Sequence, residues 1–152
     1  MYGCIAAIVV FFDQFTKYYI RKTMALGESI PMIKGGLHLT YVHNYGAAFS
    51  ILQNRQALLI SLTATIIIVI TAYVIKYGKT LSKSEMTGLA LITGGGFGNL
   101  IDRIRYGYVV DFLNIHILPV FNVADMAVCA GSALLIYSVF LSELRHSRAG
   151  LR

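Results

Sequence analysis

At 152 residues the chain has room for one domain, and 57% of it is hydrophobic against 13% charged, which excludes both a soluble globular composition and a disordered one. Its two cysteines, Cys4 and Cys129, each lie in an apolar stretch, which excludes a disulfide scaffold and a thiolate zinc site. Thirteen Lys and Arg against seven Asp and Glu leave a net charge of +6; in so apolar a chain the counter-charge is anionic lipid rather than nucleic acid, as in an integral membrane protein.

An α-helix rises about 1.5 Å per residue, so a hydrocarbon core about 30 Å thick takes roughly 20 apolar residues. The first candidate, residues 2–20, is interrupted by Asp13 and Lys17. It lacks the basic start and the small-residue cleavage site of a signal peptide and reads as a retained helix. Residues 21–57 have a different texture. Leu37, Leu39 and Tyr41 alternate with His38, Thr40 and Val42, the period of a short strand, between turns at Lys34-Gly35-Gly36 and Asn44-Tyr45-Gly46. Residues 58–75 are the clearest span, free of charge until Lys76. Residues 86–101 are apolar but carry Gly88, Gly94, Gly95, Gly96 and Gly98, of which Gly94 and Gly98 fit the small-xxx-small pattern of close helix packing. Residues 108–112 form a second extended piece, which pairs with the first in a small amphipathic sheet at the membrane surface. Residues 126–142, between Asp125 and Glu143, complete the set. The expected fold is an all-α membrane protein: a single domain over 1–152, with four transmembrane helices at about 2–20, 58–76, 86–104 and 123–143, a small extramembrane β-element and an amphipathic loop.

Lys and Arg number six on the side holding both termini and seven on the other, so the count fixes no orientation. The three lysines crowded between residues 76 and 85 favour the side of the termini as cytoplasmic.

Glu28, Glu85 and Glu143 fall in loops or at helix ends. Asp13, Asp102, Asp111 and Asp125 fall near ends that alternating helices bring to one membrane face. A carboxylate in mid-membrane costs about 2.5–3.5 kcal/mol, so it is retained for pairing or for function. Three of the four also have a structural reading. Asp13 and Lys17 make an i,i+4 pair; Asn122 caps a helix with Asp125 at its third position; Asp102 joins Arg103 and Arg105 in an interfacial ion cluster. Asp111 stands between Val109-Val110 and Phe112-Leu113 with no basic neighbour. Desolvation raises the pKa of such a carboxyl, and a second carboxylate alongside makes a pair that shares one proton, the device of aspartic proteases. The sequence contains no His-Glu-x-x-His or Gly-x-Ser-x-Gly, and its glycine run lacks the Lys-Ser/Thr of a phosphate loop. Were the reaction a hydrolysis, water would be the nucleophile.

Five motifs, Asp13-Gln14-x-Thr16-Lys17, Asn44-x-Gly46-Ala47-Ala48-Phe49, Gly95-x-x-Gly98-Asn99-x-x-Asp102-Arg103, Val109-Val110-Asp111-Phe112 and Phe121-Asn122-x-Ala124-Asp125, resemble in order and spacing those of the bacterial lipoprotein signal peptidases (signal peptidase II). The departure is an N-terminus with no basic residue ahead of helix one. The resemblance implies an aspartic endopeptidase of the inner membrane, with four membrane helices, both termini cytoplasmic and the active site near the outer face. Its substrates are diacylglyceryl-modified prolipoproteins, cut just before the lipidated cysteine. It assigns Asp111 and Asp125 as the catalytic pair. Asn99, Asp102 and Asn122 are close polar support, Asp102 with Arg103 a structural pair, and Asn44 and Gly46 lie along the substrate backbone. Asp13 with Lys17 anchors helix one, and loop 37–51 closes over the substrate as a lid. Neither cofactor nor metal is implied, and a monomer in membrane lipid suffices. Two readings compete: a proton-coupled carrier or channel using the same aspartates, and a non-catalytic assembly subunit. Carboxylates gathered at one face, without an internal repeat, weigh against the carrier.

Overall fold

Four long helices carry a small sheet in the computed structural model, which describes residues 1–33, 35–46, 52, 53 and 55–149, with side chains to 142. In chain order the elements are α1 (Tyr2–Thr23), β1 (Ser29–Pro31), β2 (His38–Asn44), α2 (Gln56–Tyr77), α3 (Lys83–Tyr106), β3 (Val109–Asn114) and α4 (Val123–Ala149). Two of them, β2 and β3, are the extended pieces expected from the sequence, the first of them from its alternation. The third, β1, is only three residues long, too short for a period to register. The sheet is antiparallel in the order β1-β2-β3, with Val42 opposite Asp111 and Asn44 opposite Val109.

By length and composition α1, α2 and residues Val123–Ser142 of α4 suit a membrane crossing. α3 is long enough at 24 residues, but glycines and terminal charges dilute its apolar content. Its ends are well specified. Ser82 Oγ accepts from the Glu85 N–H at 3.2 Å while Glu85 accepts from the Ser82 N–H at 2.7 Å, a reciprocal cap, and Gly107 closes the helix at φ 74, a left-handed turn that glycine adopts without strain.

The glycines place α3 in the centre, packed on α1, α2 and α4. A Cβ on Gly88 would lie 2.8 Å from the Gly131 carbonyl of α4, and one on Gly131 would lie 2.6 Å from that of Gly88. A Cβ on Gly94 would lie 2.8 Å from the Ala6 carbonyl of α1. Such backbone-to-backbone approach is the membrane use of small residues.

Burial is inverted relative to a soluble domain. Ile75 is 81% exposed and Ile68 67%, whereas Asp13, Lys17, Thr93, Asp102, Asp111 and Asn122 are buried. Apolar side chains facing outward around a polar interior suit lipid as the surrounding solvent. The sheet is fixed to the bundle by Ile20 and Met24, at the end of α1, packed with Tyr41, Val110 and Phe112.

Candidate active site

Successive side chains of a strand point to opposite faces. With Val110 and Phe112 committed to the apolar cluster under the sheet, Asp111 is turned the other way. Asn44, two residues beyond the Val42 that pairs with Asp111, shares that face and donates from Nδ2 to Asp111 Oδ2 at 2.9 Å. Asn44 is itself held by the Gly46 N–H, 2.9 Å from its Oδ1.

The second carboxylate comes from the start of α4. Asn122 Oδ1 accepts from the Asp125 N–H at 2.9 Å, and Asp125 Oδ2 accepts from the Asn122 N–H at 3.1 Å. This is the cap expected from the spacing, and it also fixes the Asp125 rotamer. The Asn122 amide then reaches across, donating from Nδ2 to Asp111 Oδ1 at 2.6 Å and to Asn99 Oδ1 at 3.1 Å. Asn99 Nδ2 donates to Asp125 Oδ1 at 2.8 Å. Two asparagines thus bridge the two acids, and each carboxylate oxygen holds one N–H donor with a lone pair to spare.

Their environments differ. Asp111 is 2% exposed, whereas Asp125 is half-buried. Burial, with the neighbouring Asp125 charge adding to it, pushes the Asp111 carboxyl up to about 7, against the smaller opposing pull of the Asn44 and Asn122 hydrogen bonds. A dry acid beside a wetter one favours a singly protonated pair with the proton on the dry member.

Beneath this pair lies a buried ionic platform. Lys17 Nζ is 2.9 Å from Asp13 Oδ2, 3.0 Å from Asp102 Oδ2 and 2.9 Å from Asn99 Oδ1, which uses all three of its protons. Asp13 Oδ1 accepts the Ala124 N–H at 2.9 Å, satisfying a free donor in the first turn of α4. Asp102 Oδ2 accepts the Val110 N–H at 3.0 Å. The platform therefore ties α1, α3, β3 and α4 together and meets the acid pair through Asn99. Gln14, to which the sequence reading gives no role, donates to Asp102 Oδ1 at 2.9 Å and to the Gly98 carbonyl at 3.1 Å. Its place in the first motif was the available signal.

The expected Asp102–Arg103 pair is not the one formed. Adjacent residues on a helix do not face each other; Asp102 pairs with Lys17, and Arg103 turns to the Gly46 carbonyl, donating from Nη2 at 3.1 Å. Arg103 thus braces the chain that carries Asn44. The lid expected over 37–51 is not one loop: residues 38–44 form β2, hydrogen-bonded on both edges as the central strand, which fixes them to the sheet. Residues 47–51, including Ala47, Ala48 and Phe49, lie outside the described residues. Among the described residues no group of three or more His, Cys, Asp and Glu is placed to hold a metal ion.

The platform has a testable energetic role. Removing one partner of a buried ion pair typically costs about 3–5 kcal/mol, because the other charge is left uncompensated. Asp13→Asn is expected to lower the thermal unfolding midpoint in detergent sharply while the folded fraction keeps most of its specific activity. A normally stable, inactive variant would move Asp13 into the chemistry.

Comparison with known proteins gives a consistent result. Residues 5–141 match the family model of signal peptidase (SPase) II. The lipoprotein signal peptidase of Brevibacillus brevis is 48% identical over 142 residues, covering 92% of this chain and 95% of that one. That of Halothermothrix orenii is 48% identical over 140 residues, covering 91% and 94%. A bacterial membrane enzyme solved by the in meso method superimposes with a TM-score of 0.87 at 34% identity, over 93% of this chain and 88% of its own.

Proposed function

Because this chain belongs to the signal peptidase II family, we propose that it acts as a lipoprotein signal peptidase through Asp111 and Asp125, the catalytic pair. It is a protease that removes the signal peptide of prolipoproteins, and the carrier and assembly-subunit readings are set aside. The observation that carries the assignment of the pair is the asparagine bridge between one buried and one half-buried carboxylate.

In the proposed cycle Asp125 is ionised and Asp111 protonated. Asp125 takes a proton from water as the water oxygen attacks the scissile carbonyl, and Asp111 gives its proton to the developing oxyanion. When the carbon–nitrogen bond breaks, the leaving amine takes its proton from Asp125. The new carboxyl returns the other to Asp111, which restores the starting state. Asn99 and Asn122 hold the acids in register, while Asn44, Gly46 and Arg103 shape the edge along which the substrate backbone lies. Asp13, Lys17 and Asp102 support from below.

All four helices cross the bacterial inner membrane in this reading, α3 shielded by its three neighbours. Both termini are cytoplasmic and the acid pair lies near the outer face. The whole of 1–152 works as one monomeric unit. Glycine-mediated packing of α3 on α1 and α4 supports the fourth crossing. A site beside the lipid boundary receives a diacylglyceryl substrate laterally, with its chains still in the bilayer.

The test is cleavage of a diacylglyceryl peptide by purified protein in EDTA, with mass spectrometry of the products. The expected product begins at the lipidated cysteine and forms at an undiminished rate. Activity abolished by chelator and restored by zinc would refute the aspartic mechanism.

A pH prediction follows from Asp111. With its folded pKa raised from 3.8 to about 7, its protonated form is the one favoured by folding. Its contribution to stability is fully present below pH 3.8 and is lost as pH rises through about 7. The rate should fall over the upper part of that range, with a slope reporting one lost proton. Asp111→Asn should flatten the corresponding part of the stability profile, measured by unfolding in detergent across pH.

A further inference from the structure

At the far end of β2 from Asn44, about 20 Å along the strand, two imidazoles meet outside the chemistry described above. His116 Nε2 lies 2.8 Å from His38 Nδ1, and the rings meet edge to face at 77° with centroids 4.4 Å apart. We propose that His38 and His116 form a two-imidazole chelate for a late first-row divalent cation, nickel(II) or copper(II), clipping the end of β2 to the segment after β3.

The pair is a built feature. His116 has φ 64, a left-handed conformation uncommon outside glycine. It is held there by Asn114, whose Oδ1 accepts the His116 N–H at 2.9 Å, a local turn of the kind asparagine makes. Asn114 pairs with His38 across the sheet and donates from Nδ2 to Thr40 Oγ1 at 3.1 Å. Thr40 is in turn bonded to Ser29 Oγ of β1 at 2.8 Å. A polar chain across all three strands therefore fixes the backbone that brings the second ring to the first.

The ligand chemistry selects the metal. Imidazole nitrogen suits late first-row divalent ions, and affinity for such a site rises along the series to nickel(II) and copper(II). The 2.8 Å between the two nitrogens is a hydrogen bond, and it places both rings within reach of one ion. In the free pair one ring nitrogen donates its proton to the other; on binding, the donor ring gives that proton to solvent and takes one up at its other nitrogen, and the exposed His116 ring rotates to aim its lone pair at the ion. Water completes the coordination.

The experiment uses the full chain in detergent without an affinity tag, titrated with nickel chloride by calorimetry and with copper(II) by paramagnetic resonance. One nickel per chain and a two-nitrogen copper signal are expected. Because the second imidazole binds intramolecularly, His38→Gln and His116→Gln should each weaken nickel binding at least about tenfold. His43→Gln and His146→Gln should leave it unchanged. Cleavage of the lipidated peptide reports that each variant is folded; should His38→Gln fail that control, the exposed His116 decides. Equal nickel affinity in wild type and His116→Gln, or a copper signal without two nitrogens, would overturn the proposal.

Discussion

Asp111→Asn is expected to lower the turnover number by at least about a thousandfold, within the range contributed by a positioned general acid or base. The replacement keeps size and shape and removes the transferable proton. It also meets two donors, since Asn44 and Asn122 each give an N–H to one oxygen of this carboxyl. The new amide can accept only one of them, so the end of β2 that carries Asn44 loses a tether. Turnover of the folded fraction, counted by near-ultraviolet dichroism and size exclusion, separates the two effects. Asp125→Asn should be equally inactive and better folded, because its half-buried carboxylate is held by one side chain and one backbone N–H. Near-normal turnover in either variant would remove that residue from the pair.

Of the two acids only Asp111 stood out from the residues themselves; Asp125 had a purely structural reading and entered the pair through the resemblance. Asp111 sits in an apolar strand with no basic neighbour, so its burial shows in the local pattern. Asp125 stands three residues after Asn122, the spacing of a helix cap, and the cap proved to be the device that orients it. The contacts between them were not legible. Asn44 reaches Asp111 only because of the β2–β3 register, which spans most of the loop and two helices. Lys17 reaches Asn99 only because glycines bring α1 and α3 to backbone contact. The glycine pattern foretold the close packing but not its rotational phase, so Asp102 was matched with its chain neighbour Arg103 rather than with Lys17 of α1. Family resemblance supplied the grouping that local physics left open.

The second large effect concerns the lipid on the substrate. Beyond the bundle the described residues add a three-stranded sheet and its connections, a small surface for holding several peptide side chains. The lipid-facing surface is extensive by contrast, with Ile68, Val69 and Ile75 of α2 turned outward. Each methylene transferred from water contributes about 0.8 kcal/mol, so two acyl chains hold a substrate at the membrane far more strongly than a few residues can. That energy accelerates cleavage only if it positions the scissile bond beside Asp111 and Asp125. Lateral approach does this by fixing the depth of the lipidated cysteine relative to the acid pair. The same peptide lacking diacylglycerol should therefore be cut at least about a hundredfold more slowly in kcat/KM, a difference of about 2.7 kcal/mol in transition-state stabilisation. Kinetics of both peptides in one detergent, below saturation, provide the comparison. Equal rates would mean that peptide sequence alone is recognised, and lateral entry would have to be abandoned while the acid pair stood.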